Sequence, residues 1–388
     1  MYMLKWSIHK YYLFAVLTLV AKMSYGQNFN HKVYAEVQKV ESQEELLLEY
    51  ERLGPKISGS PGLKNTFLWL LDYYKRIGVD YLRIDTFIYN DEAHYNLVAG
   101  YLGRNISRRI MVSAHYDTKG GPGVNDNGTG VTACMEIARL LRGRPIQTGI
   151  EFIHFSAEEN NLIGSQHYVN NVLGRNDSSL VFLLNLDQLG GTKNNSENNK
   201  IYCERDEDSP LQNNNASNAI TQKLAQCADL YSNLAPVISK AYNSDYMPFQ
   251  QAFYVITGLY QYSEYPFYHT KNDLLLNIDI GVHKEVIKTA YAFLLLEADS
   301  ISLSISNKNK VAMHIFPNPV KKEFTIDVPK EFGESKISLT NTLGQNVFKS
   351  EVRVGRNKIV FDHDTGLYFG SIKGSKGQMG IFKIQKVN

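Results

Sequence analysis

The stretch RRIMVSAHYDTKGGPGVNDNGTGVTACMEIARLLR (residues 108–142) decides the fold. Its residues 109–115 form a nearly continuous apolar run, which is typical of a strand that is buried on both faces of a parallel sheet. Residues 130–142 then read as a helix, and the glycines of the loop between them allow the backbone to turn sharply. The stretch therefore predicts a strand, a tight loop and a helix in succession.

The same alternation continues along the chain. Residues 149–157, 179–186 and 253–261 are further predicted strands, and the predicted helices cover residues 42–53, 61–77, 164–172, 216–231 and 282–296. Ser42 with Glu45 forms a predicted capping box, and Gly78 is expected to end the helix over residues 61–77. This order predicts an α/β fold, a doubly wound and mainly parallel sheet with helices on both faces.

Composition excludes several classes of protein. The 388 residues are enough for roughly two domains, and 43% hydrophobic with 21% charged residues is the balance of a folded protein. A net charge of +2 predicts no nucleic-acid partner. Only 3 cysteines rule out a disulfide scaffold; Cys203 and Cys227 could pair in an oxidising compartment, but the sequence does not give their separation.

The N-terminal residues 1–26 have the layout of a secretory signal peptide. Lys5 and Lys10 precede an apolar run over residues 11–21, which is too short to span a bilayer, and small residues precede a cleavage position ahead of Gln27. An uncleaved or amphipathic anchor is the alternative. No other apolar run approaches ~18 residues, so no stable membrane span is expected.

The C-terminal residues differ in character from the rest. A first domain is expected over residues 27–301, and a polar linker follows at 302–310. In residues 311–388, apolar and polar residues alternate in short runs, which predicts a small all-β sandwich. The motifs HIFPNPV (314–320), TLGQ (342–345) and GLY (366–368) resemble the sorting domain of type IX secretion cargo. The resemblance implies export through the periplasm of a Gram-negative bacterium by the type IX machinery; a carbohydrate-binding or adhesive sandwich is the alternative.

Metal-binding residue types follow three consecutive predicted strands. His115 and Asp117 follow the first, Glu158 and Glu159 the second, and Asp187 the third. In such sheets ligands bind at the carboxyl ends of the strands. The loop residue Asp126 and His269, after a later strand, complete a set that suits two divalent metals. Two zinc ions carry four positive charges, which three carboxylates and one hydroxide would neutralise.

Five motifs in this order resemble the co-catalytic dizinc aminopeptidase family, whose relatives include glutamate carboxypeptidase and glutaminyl cyclase. They are HYD (115–117), GVNDNGTG (123–130), AEE with GS (157–165), NLD (185–187) and YHT (268–270). The resemblance covers residues 55–300. A sixth stretch, SDYMPF (244–249), has Tyr246 where histidine is common in the family, and it receives no metal role.

The resemblance implies a role for each residue. His115 and Asp187 would hold one zinc, Glu159 and His269 would hold the other, and Asp126 would bridge the two. Cobalt or manganese could replace zinc at these ligands.

Three further residues receive catalytic roles from the same resemblance. Asp117 would orient His115, as metal-bound imidazoles usually require. Glu158 would be the general base that takes a proton from water, and Tyr268 would donate a hydrogen bond to the developing oxyanion.

The sequence thus predicts a secreted aminopeptidase that acts on peptides with a free N-terminus. A glutaminyl cyclase with a single zinc is the rival, and a non-catalytic surface binder is a further alternative. A serine hydrolase is disfavoured because no G-x-S-x-G occurs, and no H-E-x-x-H helix occurs either. Glutamate-type carboxypeptidases usually carry extra domains, for which the chain has no room.

Some polar residues are expected to have no part in the site. His154 and His167 are predicted to be structural, and His94 and His283 to lie on the surface. The acidic run over residues 204–208 is predicted to be a solvated loop.

Overall fold

The computed structural model describes residues 29–174, 177–299, 310–313, 315–341, 346–375 and 379–387. The predicted signal peptide and residues 302–309 of the predicted linker lie outside them. The described residues divide into two compact units, one made of residues 29–35 together with those from 310 onward and the other of residues 36–299. Within the described ranges, no helix combines the length and the apolar character needed to cross a membrane.

An eight-stranded sheet forms the centre of the larger unit, in the order β1-β2-β4-β3-β5-β8-β6-β7. Its strands are β1 (Tyr81–Tyr89), β2 (Glu92–Tyr101), β3 (Asn105–His115), β4 (Thr148–Phe155), β5 (Leu180–Leu186), β6 (Lys200–Arg205), β7 (Ala235–Lys240) and β8 (Ile256–Gln261). Four adjacent strands, β4, β3, β5 and β8, run parallel to one another. Antiparallel pairs join β1 to β2, β2 to β4 and β6 to β8, so the sheet is mixed.

Helices cover both faces of this sheet, which confirms the predicted α/β class. They are α2 (Glu44–Arg52), α3 (Pro61–Ile77), α4 (Thr129–Leu141), α5 (Ile163–Tyr168), α6 (Asn214–Tyr231), α7 (Tyr246–Gln251) and α8 (Ile280–Ala298). A further helix, α1 (His31–Val37), precedes them in the chain and spans the boundary between the two units. Successive residues of a strand point to opposite faces. On β4, His154 contacts the hydroxyl of Tyr74 from α3, whereas Phe155 packs against Tyr168 from α5.

The start of α3 follows the signals in its sequence, but the start of α2 does not. Ser60 is the N-cap of α3 and accepts a hydrogen bond from the N–H of Leu63 at 3.1 Å. Gly78 closes α3 in the left-handed conformation. At α2, the predicted capping box is wrong: Gln43 occupies the N-cap position and makes no side-chain cap bond. The Gln43 side chain is instead buried, and its amide donates to the carbonyl of Glu41.

The smaller unit contains two β-sheets. The three-stranded sheet has the order β10-β11-β14 and the five-stranded sheet the order β13-β12-β15-β16-β9. Their strands are β9 (Lys310–Ala312), β10 (Ile315–Phe316), β11 (Glu323–Val328), β12 (Ser335–Asn341), β13 (Asn346–Val352), β14 (Gly355–Val360), β15 (Gly366–Gly374) and β16 (Met379–Lys386). One core contains side chains from both sheets, including Phe324 of β11 and Ile337 of β12. His314 and residues 342–345 of the sorting motifs lie outside the described residues.

Replacing Ser60 with alanine tests the capping assignment. Ser60→Ala removes the acceptor for the N–H of Leu63 and should lower the free energy of unfolding by about 1 kcal/mol. Urea denaturation of the full chain, followed by circular dichroism, measures the change. Ser42→Ala is the matched control: Ser42 is exposed and forms no cap, so its loss should have an effect within about 0.5 kcal/mol. Equal effects of the two substitutions would contradict the assignment.

Candidate metal centre

Three neighbouring strands bring the predicted site residues to one edge of the sheet. His115 is the last residue of β3, and Asp187 directly follows β5. Glu158 and Glu159 lie in the turn after β4. Because β4, β3 and β5 are adjacent and parallel, their carboxyl ends lie side by side. His269 enters from the segment after β8.

The loop that carries Asp126 is held by hydrogen bonds to its backbone. The N–H groups of Asn125 and Asp126 donate to the two carboxylate oxygens of Asp273, at 2.8 and 3.0 Å. The Asn127 amide donates to the carbonyl of Leu186 at 2.8 Å. Gly130 is required there, because a Cβ atom at this position would lie 2.3 Å from the same carbonyl oxygen. These contacts fix where the Asp126 carboxylate points.

The Asp126 carboxylate lies between the two histidines. Its Oδ1 is 3.3 Å from Nε2 of His115, and its Oδ2 is 3.3 Å from Nε2 of His269. Around the first contact, Oδ1 of Asp187 is 3.5 Å from the His115 Nε2. Around the second, Oε2 of Glu159 is 2.9 Å from the His269 Nε2. The five residues form two groups of three that share Asp126, and these are the two sets that the family resemblance implied.

These separations suit zinc. A tetrahedral ion with bonds of about 2.1 Å to nitrogen and oxygen has ligand atoms roughly 3.4 Å apart. Two buried oxygens, Oε1 of Glu159 and Oδ1 of Asp187, accept no hydrogen bond from the described residues. Because a buried carboxylate oxygen without a partner is costly, both oxygens are suitable for coordinating a cation. The residues present therefore fit a pair of divalent metals.

The pKa values at the site reflect the crowding of charge. Burial alone would lower the pKa of His115, but Glu158, Asp187 and Asp126 raise it well above the usual value. Hydrogen bonds with Asp126 and Glu159 raise the pKa of His269 to about 9. Burial opposes ionisation of Asp126, yet the two imidazoles hold its pKa at about 2. The carboxylates thus attract positive charge strongly, as a cation site requires.

Asp117 contacts His115 differently from the expectation. The Nδ1–H of His115 lies 3.2 Å from the main-chain carbonyl of Asp117, which accepts its hydrogen bond. The Asp117 carboxylate is 3.8 Å from Nδ1, too far for a hydrogen bond, and accepts the N–H groups of Glu158 and Glu159 at 3.1 Å each. Asp117 therefore orients His115 through its backbone, and its side chain fixes the turn that carries both glutamates.

Glu158 lies beside the two groups. Its Oε2 is 3.9 Å from Nε2 of His115, and it is absent from both groups of three. Burial raises its pKa well above the usual value; His115 opposes this rise, and Asp245 and Asp187 add to it. A carboxyl group with a raised pKa next to the candidate metals can accept and hold a proton.

A cavity of about 500 Å³ opens onto the site. All of the predicted site residues except Asp117 line it. Tyr268 is 50% exposed at this cavity, and its ring lies 4.8 Å from that of His269. Its hydroxyl makes no hydrogen bond with the described residues, so it is available to a ligand.

Two residues that support the site were not predicted. Asp273 binds the Asp126 loop, as described above, and the Ser244 hydroxyl donates to Oδ2 of Asp187 at 2.6 Å. Ser244 belongs to the SDYMPF stretch, which resembles a stretch of the family but received no metal role. Asp273 has no comparable signal, because it lies 147 residues from Asp126 in the chain.

The histidines and cysteines outside the candidate metal centre are mostly buried. His154 is buried against Tyr74, as a structural histidine should be. His94 and His283 are buried, so their predicted surface location is wrong: His94 contacts two serine hydroxyls, and His283 donates to the carbonyl of Thr129. All three cysteines are buried free thiols, so Cys203 and Cys227 are not paired.

Comparison with known families gives two matches. Residues 96–294, about half of the chain, match peptidase family M28, and residues 314–385 match a secretion-system C-terminal sorting domain. An aminopeptidase of Pseudomonas aeruginosa is 32% identical over 171 residues, 44% of this chain and 31% of that protein. Aminopeptidase YwaD of Bacillus subtilis is 35% identical over 105 residues, 26% of this chain and 23% of that protein. The chain thus matches about a third or less of the length of these relatives.

Solved structures support the fold. The LapA aminopeptidase of Legionella pneumophila has a TM-score of 0.61 at 21% identity, covering 71% of this chain and 76% of its own. A glutaminyl cyclase of Bacteroides thetaiotaomicron, solved with N-acetylhistamine, has a TM-score of 0.55 at 19% identity, covering 66% and 96%. At these identities the similarity concerns the architecture alone.

Replacing Asp273 with asparagine tests how the Asp126 loop is held. In Asp273→Asn, an amide N–H₂ replaces one of the two oxygens that accept backbone N–H groups, so two donors face each other. We expect zinc affinity to fall about 10- to 100-fold, as for other residues that orient ligands. Competition with a chromophoric chelator measures it.

Asp72→Asn, at an exposed position of α3, is the control and should leave zinc affinity unchanged. Thermal melting of both variants shows whether each is folded. Wild-type zinc affinity in a folded Asp273→Asn protein would contradict the role given to Asp273.

Proposed function

The chain belongs to peptidase family M28, and from this premise we propose that it is a secreted aminopeptidase that uses two zinc ions to remove N-terminal residues from peptides. The observation that carries the proposal is the Asp126 carboxylate, whose two oxygens each lie 3.3 Å from a different histidine. A carboxylate in this position is suited to bridge two metals. The aminopeptidase relatives support the choice of reaction.

Five residues would hold the metals. His115 and Asp187 would bind one ion, Glu159 and His269 the other, and Asp126 both. Zinc at such a site polarises a carbonyl group and lowers the pKa of water. The Nδ1–H of His115 donates to the carbonyl of Asp117, which leaves Nε2 unprotonated for coordination.

Glu158 would move the proton. Its carboxylate lies at the cavity, beside the first group of ligands, where it can take a proton from the attacking water. Its burial favours the neutral form and so helps it to keep that proton until the leaving amine accepts it. The hydrogen bonds from the N–H groups of residues 158 and 159 to Asp117 hold the turn in place during this transfer.

Tyr268 would stabilise the oxyanion. Its hydroxyl is free of partners among the described residues, and its side chain lines the same cavity. A hydrogen-bond donor aimed at the developing negative charge lowers the barrier of acyl transfer. In this role, the Tyr268 side chain would contact the substrate from the open side of the cavity.

The predicted sorting domain, residues 311–388, would direct export. Its match to a secretion-system sorting domain supports passage through the periplasm of a Gram-negative bacterium and release or display at the cell surface by the type IX machinery. The predicted signal peptide at residues 1–26 would mediate the first step, across the inner membrane. The peptidase would then meet peptides outside the cell.

Replacing Glu158 with glutamine tests the mechanism. The wild-type protein should hydrolyse aminoacyl-p-nitroanilides. Glu158→Gln should lower kcat by about 10²- to 10⁴-fold, because glutamine cannot accept the proton. Elemental analysis should find close to two metal ions per chain in both proteins.

The controls separate this reaction from its rivals. A substrate with a blocked N-terminus should not be cleaved, and exhaustive chelation should abolish hydrolysis. Activity that survives chelation would exclude the metal mechanism, and metal loss in Glu158→Gln would make Glu158 a ligand. One zinc per chain together with cyclisation of peptides that begin with glutamine would identify a glutaminyl cyclase, the activity named for one structural neighbour.

Deletion of residues 311–388 tests the export role. Because all of the predicted catalytic residues lie outside this segment, the shortened chain should keep its peptidase activity but remain inside the cell. Activity assays on fractionated cells of the producing bacterium measure both properties, with the full-length chain as control. A shortened chain that still reaches the cell surface would refute the sorting assignment.

A further inference from the structure

The cavity extends from the metal centre across β8 to β6, where Glu204 lies. Asn185 of β5 pairs with Gly258 of β8, and Gly258 pairs with Glu204 of β6. Paired residues of neighbouring strands project from the same face of a sheet. Glu204 therefore lies on the same face as Asn185, two strands and about 10 Å away. Both Glu204 and the metal-site residues line this one cavity.

Gly258 makes room for this arrangement. A Cβ atom at Gly258 would lie 2.8 Å from a ring carbon of Tyr246 and 2.9 Å from Oε2 of Glu204. Any larger residue would displace the carboxylate or the ring. The Tyr246 hydroxyl and the Glu204 carboxylate that meet here are hydrogen-bonded to each other, so the missing side chain at Gly258 leaves room for this pair.

One oxygen of the Glu204 carboxylate accepts a hydrogen bond from the protein, and the other accepts none from the described residues. Oε2 accepts a hydrogen bond from the Tyr246 hydroxyl at 2.8 Å, and that hydroxyl in turn accepts the N–H of Tyr242 at 2.7 Å. Oε1 has no hydrogen bond among the described residues. The predicted solvated loop at residues 204–208 is wrong at this position, because Glu204 is only 6% exposed.

No cation of the described chain neutralises Glu204. The ion pairs of the described residues do not include it, and burial raises its pKa to about 8, with Asp187 adding to the rise and Tyr246 opposing it. Apart from the two histidines of the metal centre, Lys119 is the basic residue that lines the cavity, and it is exposed. A buried carboxylate without a cationic partner is stabilised when a bound ligand supplies a cation.

We propose that Glu204 binds the cationic side chain of the first residue of the substrate, so that the enzyme prefers peptides that begin with lysine or arginine. The inference rests on the proposed aminopeptidase function and names its substrate class. The scissile bond must lie at the metal centre, and only a long side chain reaches from there to β6. The α-amine of the substrate stays close to the scissile bond, beside the carboxylates of the centre, and is too near to reach Glu204.

The test compares two substrates that differ by one charge. Lysyl-p-nitroanilide and norleucyl-p-nitroanilide have the same carbon chain, but only lysine ends in an ammonium group. The wild-type protein should show a kcat/KM at least about tenfold higher for lysyl than for norleucyl, as a charge-assisted hydrogen bond provides. Glu204→Gln keeps an oxygen that can accept from Tyr246 but removes the charge, and it should erase this preference while leaving norleucyl hydrolysis within about threefold.

Controls make each failure distinguishable. Glu197→Gln removes an exposed carboxylate near the start of the same strand and should keep the wild-type preference. If wild type hydrolyses norleucyl as well as lysyl, or if Glu204→Gln lowers both equally, the inference is overturned while the aminopeptidase function stands. The second result would give Glu204 a role that does not depend on the charge of the substrate side chain. A preference for glutaminyl over both substrates would also overturn it. If wild type hydrolyses none of these substrates, the proposed function itself fails.

Discussion

The position of the Asp126 carboxylate between two imidazoles is the constraint on which the rest of the site depends. A short loop carries it, and the carboxylate of Asp273 and the side chain of Asn127 are among the groups that hold that loop. The Asn125 side chain adds hydrogen bonds with Gln261 and Gly190. The glycine at position 130 lets the loop approach β5 closely enough for the Asn127 contact. The strand ends supply the other ligands, but only the fixed loop makes them into two groups that share one carboxylate.

The crowding of carboxylates makes this site well suited to a cation. Asp126, Glu158, Glu159 and Asp187 line one cavity, and Asp245 is buried close by. Burial raises the pKa of Asp245 to about 7, although His115 opposes the rise. Since buried negative charges repel one another, the cluster is stable either with bound protons or with metal. Divalent ions would replace protons at the ligands and leave Glu158 to exchange its proton with water and substrate.

The parts of the structure that were predicted are those with local signals. Apolar runs locate β3, β4 and β5, and the polar residue after each run locates the site. Contacts between distant segments left no such signal: Asp273 and Asp126 are 147 residues apart. Glu204 was misassigned because a run of acidic residues is typical of a solvated loop. Its strand β6 instead lies inside the sheet, with β8 along one edge and β7 along the other. The antiparallel pairs of the sheet were missed for the same reason, since strand direction is set by tertiary contacts.

In the proposed enzyme, the candidate metal ligands and the residues that would bind the substrate side chain come from different parts of the sheet. The candidate ligands come from the ends of β3 and β5, the turn after β4 and two loops, whereas the far wall of the cavity comes from β6 and α7. Gly258 belongs to β8, between the two regions, and a side chain there would collide with Tyr246 and Glu204. In the described residues, neither Glu204 nor Tyr246 forms a hydrogen bond with any of the five candidate ligands. Strand β6 pairs with β8 through the backbone of residues 201–205, and the Glu204 carbonyl also accepts a hydrogen bond from the Thr257 hydroxyl of β8. A change of the side chain at position 204 would leave these bonds in place, so such a sheet could keep one set of candidate ligands and vary the side chain that faces the cavity.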